Sequence, residues 1–397
     1  MRHSPTRRTL LALTLVASLA VPDVAPALHA QDASALPKRT PRSRLLAIVG
    51  GLLGGAIGVG FAKGSDSGIG GSCLGLQCVI VAGAVGGAVF GYFIGREYDA
   101  TYAERYRGVP PLHLENISAD LEGDPLALAV NDSTIAVAGS AGVQLFRSGD
   151  GLLAQSRRAG GLRGIAVVAI APTTGWIALG SPSGLYLFPP RAGPGILVRS
   201  GGIGAATSTD DRVFFGVDGR LETTPLGTDT TRVWAGVALG GGGGARDLAV
   251  DSARSILWVI TAGDLESYRI SSDSIFRLGA APLGGGGRRL AITHDTIAVA
   301  MGEGGIRLFD ARDPAAPRTI ANWTVAHFVY DVSIDAGRLF AAAGPEGVYV
   351  IDLRSDTLRT IGLARELGFA AALASRGGHT YILDRRSNAL RRIVSDF

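Results

Sequence analysis

Eight polar residues in this sequence lie at, or a few residues before, the start of an apolar strand that is repeated along the chain. They are four arginines, two aspartates, a histidine and a tyrosine, namely Arg163, Arg246, Arg288, Arg289, Asp247, Asp331, His327 and Tyr330. A guanidinium group can bind a carboxylate or a phosphate through two parallel hydrogen bonds. This set therefore predicts a binding site for an anionic ligand or a protein partner. In the alternative interpretation, the arginines pair with the two aspartates and line a solvated rim.

The strands beside these residues belong to a pattern that recurs seven times between about residue 124 and the C-terminus. The clearest copies are 289–310 and 330–353. A complete copy contains four strands, A to D, and the turns between them are rich in Asn, Asp, Ser and Gly. Such turns between β-branched and aromatic runs predict hairpins. Together with a period of roughly 40 residues, they predict an all-β fold, a seven-bladed β-propeller of four-stranded antiparallel blades.

The propeller geometry would bring the eight polar residues together. The D–A and B–C loops of a propeller share one face, and strand A of each blade borders the central channel. Glycine tracts 240–244 and 284–287 lead into two of the arginine positions. Because such loops are small, we expect an open channel mouth surrounded by these side chains.

The ends of the repeat predict how the ring closes. The seventh copy has strands A, B and C, and the chain then stops without strand D. An unassigned apolar segment, 111–118, precedes the first copy. If it supplies the missing strand, no open sheet edge remains at the seam. The alternative is that 111–118 is a linker and that the last blade has three strands.

One blade resembles a known family. Segment 305–317, GIRLFDARDPAAP, resembles the LVIVD repeat, in which an apolar strand is followed by an Asp and a D-P-x-x-P turn. Segments 330–334 and 347–353 repeat parts of the same pattern. The resemblance covers about the last third of the chain. It implies a bacterial extracytoplasmic propeller and carries no catalytic residues over to this sequence.

The N-terminal region predicts export. Residues 1–30 contain basic Arg2, Arg7 and Arg8, then an apolar stretch and a small-residue cleavage site before Gln31, as in a secretory signal peptide. A basic linker follows at 31–44. No cysteine lies near the cleavage site, so lipid anchoring is not expected.

Two apolar segments, 45–62 and 79–95, predict an α-helical membrane hairpin over 45–95. Each is long enough to cross a thin hydrocarbon core as a helix. Glycines recur every four residues along both, at Gly50, Gly54, Gly58, Gly83, Gly87, Gly91 and Gly95. This spacing would let helix backbones approach closely and could support a homo-oligomer. The segments resemble the glycine-zipper spans of bacterial envelope proteins; a Gly/Ala linker or a soluble hairpin is the alternative.

Several arrangements of the membrane hairpin fit the sequence. A cleaved signal peptide would leave the basic flank outside, whereas the positive-inside rule would place it in the cytoplasm. The hairpin could therefore lie in the inner or the outer membrane, or the N-terminal segment could be retained. Cys73 and Cys78 in the loop between the spans could form a disulfide, stay free or, least expected, bind a metal. Residues 96–110 are then a linker, and 111–397 form the propeller.

The sequence contains none of the common linear catalytic motifs. There is no H-E-x-x-H, P-loop or G-x-S-x-G sequence, and the four histidines after residue 30 are scattered over separate blades or turns. We therefore predict no cofactor and no metal site. Removal of residues 1–30 takes away three arginines and one aspartate, so the net charge falls from +4 to +2, which gives no argument for nucleic-acid binding.

Two functions follow from these patterns. The first is an extracytoplasmic, envelope-anchored binding or scaffold module without enzymatic activity. The alternative is a propeller hydrolase or lyase with its site at the channel mouth, since the absence of a linear motif does not exclude a site assembled from several blades.

Overall fold

The structure, a computed structural model, describes two parts of the chain. It covers residues 108–394 apart from 141, 149–150, 158–163, 192, 228–233, 241–242, 273, 325 and 356, and short helical pieces at 48–49, 52 and 88–89. The chain divides into two units, Met1–Gly108 and Val109–Phe397. Across these described stretches, no helix is long and apolar enough to cross a membrane. The predicted signal peptide, the helix-packing glycines and both cysteines lie outside the described residues.

The second unit is an all-β propeller. Its strands form seven separate four-stranded antiparallel sheets, which confirms the predicted number of blades and strands per blade. The strands are β1 (His113–Ser118); β2 (Pro125–Val130), β3 (Thr134–Gly139), β4 (Gly142–Arg147) and β5 (Leu153–Arg157) in blade 1; β6 (Val167–Ile170), β7 (Ile177–Ser181), β8 (Gly184–Phe188) and β9 (Ile196–Ser200) in blade 2; β10 (Ala205–Ser208), β11 (Arg212–Val217), β12 (Arg220–Pro225) and β13 (Trp234–Ala238) in blade 3; β14 (Asp247–Asp251), β15 (Ile256–Ile260), β16 (Asp264–Ile270) and β17 (Ile275–Pro282) in blade 4; β18 (Arg289–Thr293), β19 (Thr296–Ala300), β20 (Ile306–Asp310) and β21 (Arg318–Trp323) in blade 5; β22 (Asp331–Asp335), β23 (Arg338–Ala342), β24 (Val348–Asp352) and β25 (Arg359–Ala364) in blade 6; and β26 (Ala370–Arg376), β27 (His379–Asp384) and β28 (Ala389–Val394) in blade 7.

Strand β1 closes the ring. It pairs antiparallel with β28, with His113 opposite Val394, and so becomes the fourth strand of blade 7. Tyr381 of that blade donates a hydrogen bond to the carbonyl of Ser148 in blade 1, at 2.7 Å. The prediction that the upstream segment completes the last blade is confirmed. The linker alternative is excluded.

The turns follow the predicted chemistry. His294, Ala336 and Ser255 lie in A–B turns and have φ values of 42°, 49° and 55°. The turns at His294 and Ala336 reverse the chain in two residues, whereas the turn that ends at Ser255 has four, and all three use this left-handed backbone region.

The apolar core lies between neighbouring blades. Trp258 and Leu265 of blade 4 pack with Leu290, Ile297 and Phe309 of blade 5, and all five are buried. Fully burying one such side chain contributes about 1.5–3 kcal/mol. Because similar clusters join other neighbouring pairs, the A strands are held in fixed positions around the axis.

Polar contacts between blades supplement this core. Arg254 in the A–B turn of blade 4 donates to the carbonyls of His294, at 2.7 Å, and Ala311, at 2.8 Å, both in blade 5. The D-P-A-A-P turn of blade 5 reaches back to blade 4. A side chain at Gly279 would place its Cβ 2.1 Å from the carbonyl oxygen of Ala315. The backbone of this turn thus lies directly on β17.

Candidate functional site

The central channel of the propeller contains a cavity of about 320 Å³ lined by strand A of all seven blades. Its wall is mainly Ala, Val, Leu and Ile. Among the described lining residues, only Asp247, Arg289 and Asp331 are charged. They are the first residues of β14, β18 and β22, and each lies opposite the last residue of strand B in its blade. Three successive blades therefore carry charge at the same level of the channel, whose lining also includes Thr207 and several serines.

Each aspartate also joins its blade to the next. Asp247 accepts a hydrogen bond from the backbone N–H of Leu290 at 2.7 Å, and Asp331 accepts one from the N–H of Leu373 at 2.8 Å. The Arg289 guanidinium lies 3.6 Å from Asp247. The pairing of an arginine with an aspartate, considered from the sequence as the alternative to ligand binding, therefore applies to Arg289.

The burial of this cluster changes its protonation. Burial raises the pKa of Asp331 to about 7, although Arg289 and the Leu373 N–H favour the charged form. Burial likewise raises the pKa of Asp247, against the effect of Arg289. Burial alone would lower the pKa of Arg289, but the two carboxylates outweigh it and the pKa is raised. At neutral pH the cluster thus holds a charged guanidinium beside Asp331, a carboxyl group whose pKa lies near the pH of the solution.

Two exposed arginines lie just before the charged cluster at the channel mouth. Arg246 donates a hydrogen bond to the carbonyl of Gly287, at 3.2 Å, and so spans from blade 4 to blade 5. The guanidinium carbon of Arg288 lies 5.2 Å from the centroid of the Phe328 ring. This is within the range of a cation–π interaction. The two side chains therefore have defined positions on the surface.

Half-buried aromatic rings continue this surface towards blade 7. The rings of Phe328 and Tyr330 are 4.5 Å apart, and those of Tyr330 and Phe369 are 4.9 Å apart. The Phe328 ring packs on Gly302 in a B–C turn, where an added Cβ would lie 3.1 Å from it. Val329 donates a hydrogen bond to the carbonyl of Gly302 at 2.9 Å, so the D–A and B–C loops meet as expected. We call Arg246, Arg288, Phe328, Tyr330 and Phe369 the mouth surface.

His327 contacts a different group. Its Nδ1 atom is hydrogen-bonded to the buried carboxylate of Glu346, which also accepts a 2.9 Å hydrogen bond from the hydroxyl of Tyr349. The Trp323 ring packs edge-on against Tyr349 at 5.1 Å. A carboxylate bound to one imidazole nitrogen orients the ring. His327 is therefore part of a His–Glu–Tyr chain within blade 6 and does not line the cavity.

The eight predicted residues thus occupy different places. Three form the charged cluster in the channel, three belong to the mouth surface, and His327 joins the blade 6 chain, whereas Arg163 lies outside the described residues. Sequence reasoning missed Phe328, Phe369 and Glu346. The aromatic residue that precedes strand A in both blade 6 and blade 7 was a usable signal for Phe369. No such signal existed for Glu346, because the corresponding position in the B–C turn of blade 5 is Gly304 and the repeat does not mark a carboxylate there.

The described residues offer no ready metal centre. Within the parts of the chain that the structure covers, no group of three or more His, Cys, Asp and Glu side chains could hold a metal ion. In the charged channel cluster, Arg289 lies between two carboxylate-bearing blades and already interacts with both.

Comparison with known proteins defines the class of fold. No family model matches this chain, and none of the curated proteins matches it. Among solved structures, the crystal structure of RRP9 WD40 repeats superposes with a TM-score of 0.58 and 10% identity, covering 72% of this chain and 98% of that one. The structure of U3-55K gives a TM-score of 0.57 and 11% identity, covering 71% and 98%. The chain thus contains a seven-bladed β-propeller with WD40-repeat structural neighbours, and at this identity the likeness concerns the fold alone.

Proposed function

We propose that this protein is an envelope-anchored, extracytoplasmic binding or scaffold module, without enzymatic activity, whose propeller holds a partner protein or an anionic ligand at the channel mouth. The observation that carries the proposal is the mouth surface, where arginines and aromatic rings lie together. Arginine and aromatic residues dominate the binding energy of protein interfaces. They do so because they combine a large apolar area with directional polar groups.

The rigidity of the mouth surface supports this function. Phe328, Tyr330 and Phe369 contact one another, and Arg288 lies over the first ring. A partner would therefore lose little side-chain entropy in ordering them. The WD40-like fold agrees with a scaffold, since it presents loops from all blades on one face of a rigid ring.

The location and the anchor rest on the sequence. Residues 1–30 contain a basic start, then an apolar stretch and a small-residue cleavage site, and this order predicts export. The glycines spaced four residues apart within 45–95 predict a membrane hairpin that could form a homo-oligomer. The resemblance of segment 305–317 to the LVIVD repeat also implies an extracytoplasmic propeller. If fractionation finds the intact, unprocessed protein in the cytosol, this part of the proposal is wrong.

The binding role is tested with matched variants of the full chain. We would purify partners from the envelope fraction with the unaltered protein, with Tyr330→Ala and Phe328→Ala, and with His294→Ala, which alters an exposed A–B turn. Loss of a central interface aromatic costs about 2 kcal/mol or more, roughly a thirtyfold loss of affinity. The two mouth variants should lose a partner that His294→Ala retains. If all variants retain it equally, the mouth surface is not the binding site.

One observation favours the alternative function of a hydrolase or lyase. The imidazole of His327 is half-exposed and oriented by a buried carboxylate, an arrangement that can serve a general base. Ester, lactone and glycosidic substrates, with and without divalent metal ions, would be incubated with the full chain and with His327→Gln. Turnover that is lost in His327→Gln would favour an enzyme over a binding module.

A further inference from the structure

Exposed arginines flank the aromatic rings of the mouth surface on both sides. Arg246 and Arg288 lie on the side of blades 4 and 5. On the side of blade 7, Arg386 packs on Gly368, the residue before Phe369, where an added Cβ would lie 2.9 Å from the Cβ atom of the arginine. Among the described residues, none of these three arginines forms an ion pair.

Most other arginines around the mouth do have a carboxylate partner. Ion pairs join Arg199 to Glu222, Arg289 to Asp247 and Arg385 to Asp124. The guanidinium of Arg246 instead lies over the exposed glycine tract 284–287, where it contacts only backbone, and that of Arg288 lies over the Phe328 ring. Both can therefore accept a carboxylate from outside without breaking an existing ion pair.

The rings between the arginines add an apolar and a polar contact. Phe328, Tyr330 and Phe369 are half-buried, so each ring still presents part of its surface to solvent. Within the part of the chain that the structure covers, the Tyr330 hydroxyl makes no hydrogen bond. An incoming aromatic ring could pack against these edges, since aromatic pairs favour offset and edge-on contacts.

We propose that the mouth surface binds an acidic linear segment of a partner protein, in which an aromatic side chain has a carboxylate residue two positions away on each side. This inference rests on the proposed function and names the chemistry of the partner. In an extended segment, residues two positions apart point to the same side and lie roughly 7 Å apart. The aromatic side chain would meet the ring cluster, and the carboxylates would meet the arginines on either side of it.

The charges around the mouth surface favour spaced carboxylates over a continuous polyanion. Two exposed carboxylates, Glu303 and Glu366, lie in the neighbouring loops. They interrupt the positive charge, so that the guanidinium groups stand as separate points. A phosphate backbone gains its affinity by contacting many cations in a row, whereas a segment with two carboxylates needs only the separate arginines.

Calorimetric titration of the purified full chain with the peptide acetyl-Gly-Glu-Ser-Phe-Ser-Glu-Gly-amide tests the inference. One control peptide has Gln for both Glu residues, a second has Ala for Phe, and a third has the same composition in the order Ser-Glu-Phe-Glu-Ser, which turns the carboxylates to the side opposite the ring. We expect the first peptide to bind with a Kd of about 1 mM or tighter and each control several times more weakly. No binding of the first peptide, or equal binding of any control, would overturn the inference.

Matched variants locate the contact. Arg288→Gln and Arg386→Gln should each weaken binding of the first peptide by at least about fivefold, because each removes a charged hydrogen-bond donor. Arg191→Gln, at an exposed arginine in the C–D turn of the opposite face, changes the net charge equally and should leave binding unchanged. If all three variants bind the peptide alike, the contact lies elsewhere and the inference is wrong.

Partner capture with Phe328→Ala and Tyr330→Ala tests the proposed function separately. A partner that is lost in these variants, together with no binding of the peptide, would leave the proposed function standing and refute the acidic segment alone. A partner captured equally by all variants would refute both.

Discussion

Removal of strand β1 should open the propeller at its seam. The comparison is between a chain that begins at residue 108, which retains β1, and a chain that begins at residue 121, which lacks it. Leu112 and Leu114 pack against the cluster shared by blades 6 and 7, and Ile117 packs against the cluster between blades 7 and 1. The shorter chain loses these contacts and the pairing with β28.

The expected loss can be worked from the pairing. The partners run from His113–Val394 to Ser118–Leu390, and each backbone hydrogen bond contributes about 1 kcal/mol net. Half-buried Leu and Ile side chains add roughly 1 kcal/mol each. The total is about 5 kcal/mol or more, a large share of the 5–15 kcal/mol that is usual for a domain. In a domain of this size, each kcal/mol of lost unfolding free energy lowers the thermal unfolding midpoint by about 2 °C, so the midpoint of the shorter chain should fall by about 10 °C.

Calorimetric melting and light scattering after gel filtration measure this effect. The longer chain should melt cooperatively as a monomer. The shorter chain exposes the edge of β28, where Val394 is already exposed, and such an edge invites pairing with another copy. Equal melting midpoints and equal monodispersity would refute the reasoning, since the ring would then not depend on β1.

Three further predictions concern other parts of the chain. Gly279→Ala should cost about 1–3 kcal/mol of unfolding free energy, because the new Cβ would overlap the blade 5 turn, whereas Gly244→Ala, with open space around it, should stay within about 0.5 kcal/mol in denaturant titrations. Burial raises the pKa of Asp331 above its unfolded value, so the native state binds the extra proton and unfolding free energy should fall as pH rises from about 4 to about 7. Asp331→Asn should remove its own share of that slope, worth about 4 kcal/mol at most, in denaturant titrations at pH 5, 6, 7 and 8, and leave the share of Asp247, whose pKa is also raised. Gly87→Leu and Gly91→Leu should separate the predicted helices and reduce cross-linking in membranes; unchanged association would show that these glycines do not pack.

The sequence predicted the elements that depend on local chemistry. The A–B turns at His294 and Ala336 have the expected positive φ, since short polar turns between β-branched runs permit few other conformations. The closing strand was predictable because an unpaired edge is costly. Asp247, Arg289 and Asp331 were found because the repeat places them at one register position.

The missed features depend on tertiary contacts. Phe328 was missed because its role comes from the packing of its ring on Gly302 and beside Tyr330, which only the meeting of two loops produces. The His327–Glu346 contact joins residues 19 positions apart, with no repeated pattern.

Site-specific photo-cross-linking in intact cells tests the central claim, that the mouth surface binds a partner. A photoreactive residue would replace exposed Thr324, which lies just before the aromatic cluster, and as a control exposed Asp295, in an A–B turn of the opposite face. We expect an adduct of defined mass from position 324, its loss when Tyr330→Ala is added, and no such adduct from position 295. Adducts that form equally from both positions, or that persist in Tyr330→Ala, would contradict it.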